Sequence, residues 1–273
     1  MVAVFYINLD RDRARRVSIE GSLKRAGIHA ERIAAIDGRS LPEWAAPYFP
    51  PSKLRPGEIG CYASHLLTMQ TVLERGLPYA LVLEDDAVFD TDAFATVDRL
   101  VKVLPDGWDY VHMVDNPRGH PFAFRRLQEL TPGRSLVRYS RLPTSTAAYL
   151  VSAGGARKFL VERSRTIPID HDTRAPWRWD LDAYGVERSP FRASGHASSI
   201  GAIGGHSRMR RGLGGLTSGY RSPQSALFNI RKLGLTWWAW CLMQNAAHKV
   251  VRMSAGSRTA NRVLPLGSLV REF

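Results

Sequence analysis

The sequence predicts an α/β fold: a mostly parallel sheet with helices on both faces, followed by a basic C-terminal extension. Three observations carry that expectation. Short apolar runs alternate with amphipathic stretches of helical period through residues 2–163, the signature of strand–helix–strand units. One of these runs, Tyr79-Ala80-Leu81-Val82-Leu83, ends on three consecutive carboxylates, Glu84, Asp85 and Asp86. In open α/β sheets, ligands collect beyond the carboxyl ends of strands, where this triplet would stand. Charge is also divided unevenly. From Arg188 onward there are thirteen Lys and Arg against one acid, Glu272, a net +12 of the chain's +13. Residues 1–187 are therefore nearly neutral, and the last third is a cationic extension suited to an anionic partner.

Taken in order, residues 2–8 form a continuous apolar run, hence an interior strand. A turn over residues 9–13 leads to an amphipathic helix over 15–26, stopped by Gly27. A second strand is expected over 30–36, ending at Asp37-Gly38. A Pro-rich loop (Pro42, Pro47, Pro50, Pro51, Pro56) precedes a helix over 58–75. The strand bearing the carboxylates follows, then a helix over 91–103 closed by Pro105-Asp106-Gly107. Strands are expected over 109–114 and 146–151, an edge strand over 135–139, and a helix over 153–163. Residues 194–220 are rich in Gly and Ser and read as a mobile loop or linker. The domain division expected is a catalytic-looking unit over 1–192 and the extension over 193–273.

Composition narrows the class. With 44% hydrophobic and 23% charged residues, the chain matches ordinary globular proteins. Its two cysteines, Cys61 and Cys241, form neither a disulfide framework nor a zinc site, which favours a reducing compartment. Val2 to Ile7 is too short and too poor in preceding bases for a secretory leader, and no apolar run reaches the ~18 residues of a bilayer span. The longest apolar stretch, residues 233–243, is Trp-rich and flanked by Arg231, Lys232, His248 and Lys249. It suits a helix lying in a membrane interface, or one packing Trp237, Trp238 and Trp240 onto the domain. A nucleic-acid module is not indicated, because exposed aromatics interleaved with base-facing polar groups are missing.

Three adjacent carboxylates repel one another and resist leaving water, so a fold that gathers them at a strand end has a use for them. The use that fits is a hard divalent cation, held by one or two carboxylates and by substrate phosphate oxygens. The alternative is a solvated acidic turn.

Further blocks join the triplet: Ile7-Asn8-Leu9-Asp10-Arg11 with Arg15 and Arg16, Asp37-Gly38, and Gly57-Glu58-Ile59-Gly60-Cys61-Tyr62-Ala63-Ser64-His65. Later come Thr146-Ala147-Ala148-Tyr149-Leu150-Val151-Ser152 with Gly155-Ala156, and Pro168-Ile169-Asp170-His171-Asp172 followed by Trp179 and Tyr184-Gly185-Val186. Over residues 2–190 these blocks, in order, resemble glycosyltransferase family 25, the family of bacterial lipooligosaccharide galactosyl- and glucosyltransferases. The resemblance implies a GT-A-type nucleotide-sugar fold, a UDP-hexose donor, Mn2+ or Mg2+, inversion at the sugar, and a lipid-linked oligosaccharide acceptor of the lipopolysaccharide type. Work at the cytoplasmic face of a membrane, with the tail on its anionic surface, follows as an expectation.

On that resemblance Asp86 is expected to ligate the metal, with Glu84 or Asp85 on the ribose or a metal-bound water; Glu84 is a second candidate ligand. Asn8 and Arg11 are placed to meet the nucleotide, and Asp37 to bond the ribose or base or to serve as a turn residue. Arg13, Arg15 and Arg16 are read as an exposed helix face. Glu58, Ser64 and His65 share one helix and stand either near substrate hydroxyls or in the core. Asp170 and Asp172 lead as the base that inversion requires, ahead of His171 and Asp115. Trp177, Trp179 and Tyr184 are candidates to stack on a sugar or to fill the core. The competing reading is a non-catalytic protein that binds anionic glycolipid or polyanion.

Overall fold

The computed structural model describes residues 2–50, 54–115, 123–194 and 222–255; the stretch read as a Gly/Ser-rich loop lies almost entirely outside them. The elements are β1 (Ala3–Asn8), α1 (Arg13–Arg25), β2 (Glu31–Ala34), α2 (Pro56–Glu74), β3 (Tyr79–Glu84), β4 (Ala87–Phe89), α3 (Ala93–Val103), β5 (Tyr110–His112), β6 (Phe124–Thr131), β7 (Arg134–Tyr139), β8 (Ala148–Ser152), α4 (Ala153–Phe159), α5 (Ile169–Asp172), β9 (Ala183–Glu187), β10 (Phe191–Ala193), α6 (Pro223–Leu233) and α7 (Leu235–Ala255).

An eight-stranded sheet runs β2-β1-β3-β8-β5-β9-β7-β6, and β4 pairs with β10 in a separate ribbon. Pairings of β1 with β2 and β3, and of β5 with β9, are parallel, whereas β8 and β7 run against their neighbours. Six of the eight strands thus point one way, which bears out the α/β expectation of a mostly parallel sheet. The expected edge strand, β7, lies one place inside: β6, which the sequence reading did not find, covers it. β6 carries Arg125, Arg126, Gln128 and Glu129 and exposes its central four residues in a row, so it lacks the apolar alternation that announces a half-buried strand.

Alternation along the central strands builds two cores. Phe5 and Ile7 with Ala80 and Val82 face α2, packing on Tyr62, Leu66, Met69 and Val72. Val4 and Tyr6 with Leu81 and Leu83 face the other side, with Ile19 and Leu23 of α1 and Val97 and Leu100 of α3. Period-two side-chain direction is what sends neighbouring residues of one strand to opposite layers, so helices cover both faces as expected. Local chemistry sets the ends. Gly27 takes φ +68° and lets Ile28 bond back to Leu23 at 2.9 Å, closing α1 with a left-handed turn that favours glycine. Pro56 opens α2, where its missing N–H costs nothing.

The crossovers place the site. From β1 the chain goes outward through α1 to β2, then returns through α2 to β3 on the other side of β1. The direction of winding reverses between β1 and β3, and the carboxyl ends of these two strands part to leave a crevice.

The C-terminal helices pack on the domain. Lys232 pairs with Asp182 at 2.8 Å, the Arg125 guanidinium lies 5.4 Å over the Trp237 ring, and Asn245 accepts from the Ala123 amide at 2.9 Å. Leu233 and Cys241 are buried with Ala123, and Trp237 and Trp240 pack against them. Both cysteines are free. Among the described residues no helix is long and apolar enough to cross a membrane.

Candidate active site

The crevice is a cleft of about 100 Å3, walled by Asn8, Asp12 and Arg15 from the β1–α1 region, Gly38, Cys61, Ser64 and His65 from the α2 side, and Glu84, Asp85 and Asp86. Its organising group is Asn8, which is 1% exposed at the end of β1. The Asn8 amide donates to Asp85 Oδ2 at 2.7 Å and to the Asp12 carbonyl at 3.1 Å, and its oxygen accepts from Arg32 at 3.1 Å. Both amide protons are therefore engaged. In this arrangement Asn8 lines the cleft while it fixes Asp85 and the turn into α1.

Arg15 corrects the sequence reading more sharply. Expected on an exposed helix face, it turns inward: one guanidinium nitrogen stands 2.5 Å from Asp85 Oδ1 and 3.4 Å from Asp86 Oδ2. Asp85 and Asp86 thus share Arg15, whereas Glu84 has partners of its own. Glu84 accepts from the Thr146 hydroxyl at 2.6 Å and lies 3.4 Å from His65 Nε2. Tyr149, through its hydroxyl 2.9 Å from His65 Nδ1, orients that ring from behind. Ser64 closes on Gly60 and Ile36, and Glu58 accepts from the Arg55 amide at the start of α2. His65 is the member of that helix brought to the carboxylates.

These partners give the triplet three electrostatic characters. Burial pushes the Glu84 carboxyl up, but hydrogen bonds from His65 and Thr146 and the Arg15 charge outweigh it and hold Glu84 below its ordinary range. Asp85 is raised by burial against the opposing pull of Asn8 and Arg15. Asp86 is pushed up to about 6, by burial first and the Glu84 charge next. Its Oδ1 is buried and has no hydrogen-bond partner. A buried oxygen left without a donor beside a second carboxylate is a site that a cation would satisfy. Among the described residues no three His, Cys, Asp or Glu side chains group to enclose a metal by themselves. The donor set fits a cation held by Asp86 and Glu84 that takes its remaining oxygens from substrate and water.

Asp170 and Asp172, two residues apart on the single turn of α5, part company. Asp172 is 1% exposed, accepts from the Tyr62 hydroxyl at 2.9 Å and pairs with Arg178 at 2.5 Å. A base must reach its substrate, and so buried a carboxylate does not; Asp172 instead anchors α5 to α2. Asp170 keeps 35% of its side chain exposed. Burial raises its carboxyl, with His171 opposing and the Glu84 charge adding to the rise. Burial likewise pushes up the Cys61 thiol, and Glu84, Asp170, Asp86 and Glu58 all add to the shift.

Arg11 and Asp37 do not line the cleft. They pair with each other at 2.8 Å, and the Arg39 side chain, followed by its amide, holds Asp37 well below the usual carboxylate range. That places Asp37 as a turn-stabilising residue at the rim. Trp179 stacks on the buried Arg165 at 3.9 Å and Tyr184 on Arg138 at 4.1 Å, both inside the fold; Trp177 alone of the three aromatics stays partly exposed. Thr146, Tyr149 and Arg32 carry no sequence signal of their own roles, since each acts through a partner far along the chain.

Comparison with known proteins gives a family. A model described as glycosyltransferase family 25 (LPS biosynthesis protein) matches residues 1–173. An inactive glycosyltransferase 25 family member 3 from Mus musculus is 29% identical over 220 residues, covering 70% of this chain and 36% of that protein. Procollagen galactosyltransferase 1 from Danio rerio is 27% identical over 190 residues, 61% of this chain and 30% of that protein. The chain thus spans about a third of the length of these relatives. Among solved structures, A197 from STIV aligns with a TM-score of 0.43 and 13% identity, over 72% of this chain and 87% of that one.

Proposed function

The chain belongs to glycosyltransferase family 25, and from that premise we propose that it transfers a hexose, galactose or glucose, from a UDP-sugar to a lipooligosaccharide-type glycan with inversion. The observation that carries the reading is the Asp86 carboxylate at the β1/β3 crevice, with one oxygen buried and unpartnered beside Glu84. A relative named for galactosyl transfer supports a hexose donor. Relatives named inactive share the same family, so the case for turnover rests on the cleft.

In the proposed reaction the Asp170 carboxylate takes the proton of an acceptor hydroxyl. That oxygen forms a bond to the anomeric carbon as the bond from this carbon to the diphosphate breaks, and the electron pair departs with UDP. Burial of Asp170 raises its basicity, which suits proton abstraction near neutral pH. Asp86 and Glu84 would hold a divalent cation, whose contribution when bound is Lewis-acid stabilisation of the charge on the departing diphosphate. Arg15 is the cation already at the triplet and stands ready to pair with phosphate oxygens. Asn8 and His65 keep Asp85 and Glu84 from turning away.

The test is UDP release from UDP-galactose and UDP-glucose with Mn2+ and a truncated lipooligosaccharide, alongside the melting temperature with UDP and Mn2+. Metal-dependent release is expected. Stabilisation by UDP without release from any donor would favour the binding-only alternative, and neither effect would end the nucleotide-sugar reading. Asp170→Asn should lower kcat by about 10²–10⁴-fold while leaving the UDP-dependent shift in melting temperature in place. A variant with full turnover removes Asp170 from the reaction.

A further inference from the structure

We infer that α7 is an in-plane docking helix for an anionic lipid bilayer, a property separate from hexosyl transfer. One side of this 21-residue helix is fastened to the domain. Cys241 is buried, Asn245 accepts from the Ala123 amide and donates to the Ser140 hydroxyl at 3.2 Å, and Trp237 lies under Arg125. The side facing away is apolar. Leu235, Leu242, Met243 and Val250 are 50–66% exposed, and at about 100° per residue they share an arc roughly 100° wide, with the exposed Ala246 at its centre. Isolated exposed apolar residues need no explanation, but four large ones on one helix face mark a contact surface.

Charge identifies what that surface meets. No carboxylate occurs between Arg188 and Glu272, so α6 and α7 contain none. Lys249 is exposed at the edge of the stripe and Arg231 is exposed on α6, whereas Lys232 is occupied by Asp182. A second copy of this chain would bring cations against cations. A bilayer with anionic headgroups supplies apolar depth and opposite charge at once, which is the requirement of a helix lying in the interface. The same helix is not apolar enough to cross.

The full chain, sedimented with phosphatidylcholine vesicles with and without phosphatidylglycerol, is expected to bind the anionic ones and to be released by salt. Leu242→Gln/Met243→Gln should weaken that binding by roughly tenfold or more, from the loss of two buried apolar side chains. Its melting temperature should not change, because both side chains already face water. UDP release with a soluble acceptor should also be unaffected, so failure here leaves the transferase reading untouched. Equal vesicle binding by variant and wild type overturns the inference, as does absence of binding to anionic vesicles. A dimer in size-exclusion chromatography that the variant converts to monomer also overturns it, by assigning the stripe to a second copy.

Discussion

Asp86→Asn is expected to reduce UDP release by about 10²–10³-fold, the scale of removing one group that stabilises developing charge, while making the ligand-free protein more stable at neutral pH. The two effects share one cause. The Asp86 carboxyl is pushed up to about 6 in the folded chain, above the ordinary aspartate value of 3.8. Between those values the native state binds more protons than the unfolded chain, so stability falls as pH rises through that window. Above about pH 6 the ionised carboxylate burdens the fold by an amount on the order of 3 kcal/mol. Asparagine keeps the shape without the charge, and Arg15 retains Asp85 at 2.5 Å. Thermal melts of variant and wild type should therefore coincide near pH 4 and separate progressively toward pH 7, with the variant higher. A variant that melts lower at pH 7 would show that the Asp86 charge is already compensated, and the argument for a cation there would lose its footing.

Gly38→Ala should be the most damaging small substitution near the cleft. A Cβ on Gly38 would lie 1.8 Å from the Pro56 carbonyl oxygen and 2.7 Å from the Gly60 nitrogen, and one on Gly60 would lie 2.5 Å from the Ile36 carbonyl. All of these obstacles are backbone, so relief requires moving the chain after β2 away from the first turns of α2. The expected loss is about 3 kcal/mol, at the upper end for overpacking, read as a lower denaturant midpoint at unchanged m-value. UDP binding should weaken with it, because α2 brings Cys61, Ser64 and His65 to the cleft wall. Gly21→Ala is the contrasting case. It lies within α1, where the nearest atom to a new Cβ is the flexible end of Arg25 at 3.4 Å. There a gain of roughly 0.5–1 kcal/mol is expected from helix propensity. Equal destabilisation by both changes would mean that close approach is not what glycine provides at position 38.

These particulars show where sequence reading succeeds. From β1 to β3 each element announces itself by an apolar run or a helical stripe and stops at a glycine or proline, so boundaries fall within two or three residues. β9 was passed over because Ala183–Glu187 is short and centred on Gly185, whose place against the Tyr139 ring leaves no room for a side chain. The triplet was legible because three adjacent carboxylates are costly anywhere without a purpose. Arg15 was not. Three arginines within four residues look alike in sequence, and the turn geometry fixed by Asn8 decides which of them reaches Asp85. Asp170 and Asp172 were equally plausible bases because one helical turn puts them on different sides, and the sequence does not say which side is α2's.

The cleft wall and the side chains that stand behind it come from distant parts of the chain. Asn8, Arg15, His65 and the three carboxylates all precede residue 87, whereas Thr146, Tyr149 and Asp170 follow by sixty residues or more. A ribosome would thus finish the whole cleft wall well before the side chains that brace it from behind exist.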